Sequence, residues 1–273
     1  MAKKCYYCGA DATSKEHVPP RCLFPKQVDV GGIDFRKNLL TVPSCDEHNS
    51  ESSCDDEFLL ACLTPIVGNN FVGYVHTKTK LRRAMEHTGG HLQKVAMRNA
   101  EQHIGHDKKG NEYPVLIGKP DDTRLDKCFD KIVRAIWYLE NGQTPFNGKT
   151  RFLPGFLVYD GGKIVRDGDN LSVGSTLEYA KYVARVKLKE EFANIPVKGA
   201  NPDIFRYQIG PPDEHEITPM LLTFYDNADV MCALQPADAP PLPGTLATTL
   251  AGSTIQLQLD GGRTVSIRLN PND

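Results

Sequence analysis

The chain has a single tryptophan among its 273 residues, and aromatic residues make up only 8% of it. No apolar run approaches the roughly 18 residues that a membrane-spanning helix requires, so no membrane partner is expected. Charge of one sign is missing as well: 32 Lys and Arg stand against 34 Asp and Glu, a formal net charge of -2. That excludes a polycation held on nucleic acid by its overall field, and any such binding has to come from a local patch. No internal repeat is visible. The opening Met1-Ala2-Lys3-Lys4-Cys5 has no apolar h-region, and a cytoplasmic location is expected from that. What is present is ordinary for a globular chain: 40% hydrophobic and 24% charged residues, enough for a core. In a reducing compartment its eight cysteines are expected as metal ligands and buried thiols, not disulfides.

Two of those cysteines open the most informative stretch. Cys5-x2-Cys8 followed by Gly9 has the form of a zinc knuckle, because two thiolates can grip one ion when the backbone turns sharply between them. Cys45-x2-His48 repeats the two-residue gap and supplies the second pair of a tetrahedron. Cys22, Cys54, Cys62, Cys128 and Cys232 show no such pairing.

Between the knuckles lies Glu16-His17-Val18-Pro19-Pro20. The diproline disfavours helix, so His17 is expected on a strand or loop. Residues 39–43 read as a second short strand, and residues 46–63 as a helix with acidic residues early and an apolar face at Phe58, Leu59, Ala61 and Cys62. Phosphodiester hydrolysis needs an activated water and a stabiliser of charge on the phosphate. A neutral imidazole can take the water's proton, and a divalent ion held by a carboxylate and an amide can stabilise the charge. Glu16, His17 and Asn49 offer that set. Asp56, farther along the helix, could reach such an ion directly or through water; a solvated helix face is the other reading.

Cys-x2-Cys, Glu-His-x-x-Pro, Val-Pro-x-Cys-x2-His-Asn and an Asp-rich helical turn together resemble the HNH endonuclease family, with its ββα-metal fold and zinc-ribbon flank. The motif covers about a fifth of the chain. The resemblance implies structural zinc on Cys5, Cys8, Cys45 and His48, Glu16 and Asn49 as ligands of a catalytic Mg²⁺ or related ion, and His17 as general base. Glu16 stands where Asp is more frequent, His48 where Cys is commoner, and the middle Asn of the family pattern has no clear match. The activity implied is hydrolysis of DNA, with RNA not excluded as a partner. The alternative reading is a non-catalytic zinc-ribbon module that binds nucleic acid or protein.

Farther on, Lys78, Lys80, Arg82, Arg83, Lys94 and Arg98 crowd a stretch of helix formers over residues 76–103, broken at Gly89-Gly90. They are the candidate nucleic-acid contacts; a solvated face is the other reading. Residues 64–75 read as a connection. Residues 126–141 carry an apolar stripe at helical spacing. Residues 152–159, 204–209 and 220–225 read as strands, the last two as antiparallel neighbours, and residues 177–192 as a helix or strand. Residues 254–259 and 264–269 alternate around Asp260-Gly261-Gly262, a hairpin signal. A looser likeness of the 131–138 helix and the Phe-Arg-Tyr and Phe-Tyr strands to a downstream region of bacterial and phage HNH-containing proteins of unassigned role implies that residues 66–234 form one α+β domain belonging with the HNH module. The expected class is α+β: an HNH module with its zinc knuckle pair over residues 1–65, a mixed α+β domain over 66–234, a Pro-rich linker over 235–245 and a β-hairpin over 246–273. A marginal lone hairpin should dock on the body or on a second subunit, so a homo-oligomer is a possibility.

Overall fold

A computed structural model describes residues 3–50, 52–106, 109–156, 163–166, 169–172, 190–239, 254–259 and 263–268. The chain is a mixed α+β protein, with helices gathered in its N-terminal part and an antiparallel sheet toward its C-terminus. Strands β1 (Ser14–Val18) and β2 (Leu40–Ser44) pair antiparallel, with Glu16 opposite Val42 and His17 opposite Thr41. Helices α1 (Asp46–Ser50) and α2 (Ser52–Leu63) follow, within the expected helical stretch.

Next come α3 (Phe71–His76), a π-helical turn over Thr77–Leu81, α4 (Arg82–His87) and α5 (His91–Ala96). Helix α3 begins inside the stretch read as a connection, where the Asn70 side chain accepts from the Gly73 N–H and caps it. The helical reading of residues 76–103 fails beyond Ala96. Arg98–His106 is strand β3, paired with β4 (Glu112–Lys119) in an exposed two-stranded ribbon. Its length in strand conformation comes from cross-strand pairing, which local helix propensity does not register.

The long helix α6 (Asp122–Glu140) is the central pillar. Asp121 caps it by accepting from the Arg124 N–H at 3.0 Å, and Gly142, at φ +64°, lets the chain turn away after Asn141. Leu125, Phe129, Ile132, Val133 and Ile136 are buried along its stripe. On one side it meets β1, β2 and α2; on the other it meets β5 (Gly148–Pro154). Then follow the short pair β6 (Lys163–Arg166) and β7 (Asp169–Ser172), and β8 (Lys198–Asn201), β9 (Phe205–Ile209), β10 (Thr218–Phe224) and β11 (Ala228–Pro236). The main sheet has five strands in the order β5-β11-β10-β9-β8, all neighbours antiparallel. Residues 204–209 and 220–225 are thus neighbours, as their pattern predicts. Phe129 reaches the sheet between Phe152 and Phe224, at ring separations of 6.0 and 6.4 Å. One buried cluster runs without a break from Cys5 on the first knuckle to Leu234 on β11.

Strand β11 extends to Pro236, into the stretch read as linker; residues 240–245 of that stretch lie outside the described residues. Residues 177–189 also lie outside them, so the helix-or-strand reading there has no counterpart. The C-terminal pair β12 (Thr254–Leu259) and β13 (Arg263–Arg268) forms an antiparallel hairpin in the expected place. No helix among the described residues is long and apolar enough to cross a membrane.

His76, at the end of α3, is wholly buried, with Nε2 2.9 Å from the Cys22 carbonyl oxygen. Burial pushes its pKa down to about 4, against the partial support of that carbonyl. The folded protein therefore favours neutral His76. Its contribution is complete above pH 6.5 and is lost as pH falls toward 4, by up to about 3 kcal/mol. We expect His76→Gln, which keeps an N–H donor but does not titrate, to lose less stability than wild type between pH 6.5 and 4 in urea titrations. Equal slopes would exclude a buried neutral histidine.

Candidate metal centre and active site

The two knuckles converge. One ligand atom from each of Cys5, Cys8, Cys45 and His48 falls within a common span of 4.8 Å, a cluster that could hold a metal ion such as zinc. Cys8 Sγ and Cys45 Sγ are 3.8 Å apart, Cys45 Sγ and His48 Nδ1 3.1 Å, and Cys5 Sγ and His48 Nδ1 4.0 Å. Zinc bonds of about 2.3 Å to sulfur and about 2.0 Å to nitrogen give tetrahedral edges of about 3.5–3.8 Å, so the donor set fits that ion. Among the described residues no other group of histidines, cysteines and acids meets that test. Burial would raise the Cys5 thiol, but N–H groups of Cys8, Tyr7 and Cys45 outweigh it and lower its pKa. Cys8 receives an N–H from Ala10, yet burial and the thiols of Cys5 and Cys45 leave its pKa raised. Adjacent thiols resist joint ionisation unless a cation sits among them.

The knuckle is tied to α6. Tyr7 stacks on His48 with ring centroids 4.4 Å apart and donates its hydroxyl to Asp130 Oδ2 at 2.7 Å. Asp130 also accepts from Thr150 Oγ1 of β5 at 2.6 Å and from Arg134 Nε at 2.8 Å. Arg134 then donates to the carbonyls of Phe146 and Gly148 at 2.8 and 3.0 Å.

Beside this cluster, β1 and α2 enclose a recess. Lys15, Glu16, His17, Pro20, Arg21, Asn49 and Asp56 border its open part, about 330 Å³ including its mouth. A deeper portion continues between Tyr6, Glu16, Asp56 and Lys131 of α6. Strand alternation sends Glu16 and His17 to opposite faces of β1. Both still reach the recess because β1 is in a two-stranded sheet and has an open edge. The structure thus gathers the sequence candidates Glu16, His17, Asn49 and Asp56 around one cavity.

Each of these side chains has a defined setting. Asn49 Nδ2 donates to Ser14 Oγ at 2.8 Å, which turns its amide toward the Ser14 and Glu16 face of β1. Glu16 accepts from Ser44 Oγ at 3.5 Å and from the Tyr6 hydroxyl. Burial raises its pKa, with Lys131, Tyr6 and Ser44 opposing. Asp56 is pushed up to about 7 by burial and then by the charge of Glu16, with Lys131 opposing. His17 is held below its ordinary value by burial and then by Arg21 and Arg36, so it is neutral at pH 7.

The basic stretch is less free than its sequence suggests. Arg83 forms a bidentate pair with Asp29 at 2.9 and 2.7 Å, and Arg82 pairs with Glu86 at 2.9 Å. Lys80 lies 4.0 Å from Glu57, and Arg98 lies 3.9 Å from Asp121. Lys78 sits over the Tyr74 ring at 5.6 Å, and Lys94 is exposed on α5. Sequence reasoning passed over the cations that border the recess. Lys15 and Arg21 flank the Glu-His-Val-Pro-Pro segment, are exposed and form no ion pair among the described residues. That adjacency was a readable signal. Lys131 and Tyr6 had none, since only the fold brings them to Glu16.

Comparison with known protein families, curated proteins and solved structures returned no match.

Replacing Cys8 or Cys45 by Ser should abolish stoichiometric zinc, read by metal analysis after gel filtration. The melting temperature should fall with it, because a structural ion's binding energy is folding energy. Wild-type protein that contains no zinc when produced in zinc-supplemented medium, or a Cys45→Ser variant that retains it, would count against this centre.

Proposed function

We propose that the chain is a metal-dependent endonuclease of the HNH type that hydrolyses phosphodiester bonds in DNA. The observation that carries this reading is the common recess in which Glu16, His17, Asn49 and Asp56 meet beside the Cys5-Cys8-Cys45-His48 cluster. Two carboxylates and an amide are hard oxygen donors, the set that suits Mg²⁺ or Mn²⁺. The raised pKa values of Glu16 and Asp56 belong to carboxylates crowded together in a half-buried place, which a divalent cation would relieve.

In this reading the recess is a ββα-metal site. The ion, when bound, supplies charge stabilisation at the phosphate and the leaving oxygen. Glu16, Asn49 and Asp56 hold it. Tyr6 and Ser44 orient the Glu16 carboxylate, and Ser14 orients the Asn49 amide. His17, on the other face of β1, takes the proton of the attacking water. Lys15 and Arg21 at the rim receive the flanking phosphates. They give the recess a positive border that the acidic α2 lacks, and they make it a better docking surface than the ion-paired stretch around α4.

One observation favours a second reading. The Tyr6 and Ser44 hydrogen bonds to Glu16 also suit a carboxylate that only braces the knuckle against β1. In that case the chain is a zinc-ribbon binding module without turnover.

Supercoiled plasmid incubated with Mg²⁺ or Mn²⁺ separates the two. Wild type should relax or linearise it, and His17→Ala, with zinc and fold retained, should be slower by about 10²- to 10⁴-fold. Equal rates would assign the cleavage to a contaminant or to another base. Absence of cleavage together with DNA binding would favour the binding module.

The rim makes a separate claim. Lys15→Ala and Arg21→Ala should each weaken duplex binding and reduce the slope of log K against log salt by about 0.9. If Arg83→Ala has the larger effect, DNA binds across α4 and not at the recess.

A further inference from the structure

We propose that Lys131 is a positioning residue of the recess, whose ammonium holds the Glu16 and Asp56 carboxylates toward the cavity and competes with a divalent ion for them. The proposal rests on the metal-dependent reading above and adds to it a residue from outside residues 1–65.

Lys131 lies on α6, which packs on β1 and β2. Its Nζ donates to the His48 carbonyl oxygen at 3.3 Å, and the same side chain lines the deep portion of the recess with Glu16 and Asp56. It therefore stands between the backbone of a knuckle ligand and the cavity that the two carboxylates line. The acidic run on α2 points to the same conclusion. Asp55 is matched by Arg124 Nε at 2.6 Å, and Glu57 by Lys80 at 4.0 Å. Asp56, between them, has no ion pair of that length among the described residues, and Lys131 is the cation whose charge acts on both it and Glu16. Tyr6 and Ser44 add neutral donors at Glu16, whereas Asp55 and Glu57 add further negative charge at Asp56. An ammonium is a compact point charge on a flexible stem, suited to swing aside when another cation arrives. Until it does, it keeps two like charges together in a half-buried place without distorting β1 or α2. Once the ion is bound, the two cations repel.

Isothermal titration of zinc-loaded protein with Mn²⁺ tests this. Lys131→Met keeps the aliphatic stem and removes the charge; it should bind Mn²⁺ about threefold or more tightly than wild type. Lys131→Arg should stay within about twofold of wild type, since the charge remains. Lys131→Gln serves in place of the methionine variant if that one loses its zinc or its fold. Asp56→Asn reports whether the titrated site is the recess. Mn²⁺ binding that is weakened by Asp56→Asn but unchanged or weakened by Lys131→Met overturns the role of Lys131 alone. No Mn²⁺ binding by wild type or by any Lys131 variant overturns the metal-dependent reading, and this proposal with it.

Discussion

Three thiols and an imidazole are packed within one ion's reach, and most of the N-terminal architecture answers to that constraint. The Cys5 to Cys8 turn has to meet the start of α1, so β2 must end at Ser44 and the helix must begin at once with Asp46. This fixes Asn49 one turn into the helix and Glu16 across the ladder from Val42. The turn also carries two tyrosines with opposite tasks. Tyr6 is buried and donates to Glu16, whereas Tyr7 stacks on His48 and reaches Asp130. A change at the ligand cluster is therefore felt at the recess through Tyr6 and at α6 through Tyr7.

Helix α6 makes the rest of the molecule respond to the same point. Its Asp130 gathers hydroxyls from the knuckle and from β5 while paired with Arg134, and these groups are largely buried. A buried pair of this kind stabilises only when its remaining hydrogen-bonding capacity is used. Here Tyr7, Thr150 and the Phe146 and Gly148 carbonyls use it. With Phe129 inserted between Phe152 and Phe224, the helix joins the ligand cluster to the five-stranded sheet through one continuous core.

What the sequence revealed follows from the range of each interaction. The four ligands were legible because their chemistry demands a fixed spacing. So were α6 and strands β9 and β10, whose apolar periodicity is strong. The β3 and β4 ribbon was not, because Arg98 to His106 combines helix-forming residues with a pairing that only its partner strand supplies. The meeting of Glu16, His17 and Asn49 could be anticipated from order and spacing. Asp56 stood between two readings, a solvated helix face and a group near the ion, and its half-buried place beside Glu16 puts it at the recess. Lys131 was invisible, since nothing local links it to His48. In the basic stretch, a one-dimensional count of Lys and Arg does not register Asp29, Glu57 and Asp121 folded against them.

The central claim is that the recess holds a divalent ion between Glu16, Asn49 and Asp56. Anomalous scattering from crystals grown with zinc and soaked in Mn²⁺, recorded on both sides of each metal's absorption edge, tests it most directly. The account predicts a zinc peak among Cys5, Cys8, Cys45 and His48, and a manganese peak bounded by Glu16, Asn49 and Asp56 that disappears in Asp56→Asn. A manganese signal confined to other parts of the molecule, with Glu16 still bound to Tyr6 and Ser44 and the recess filled by solvent, would contradict it.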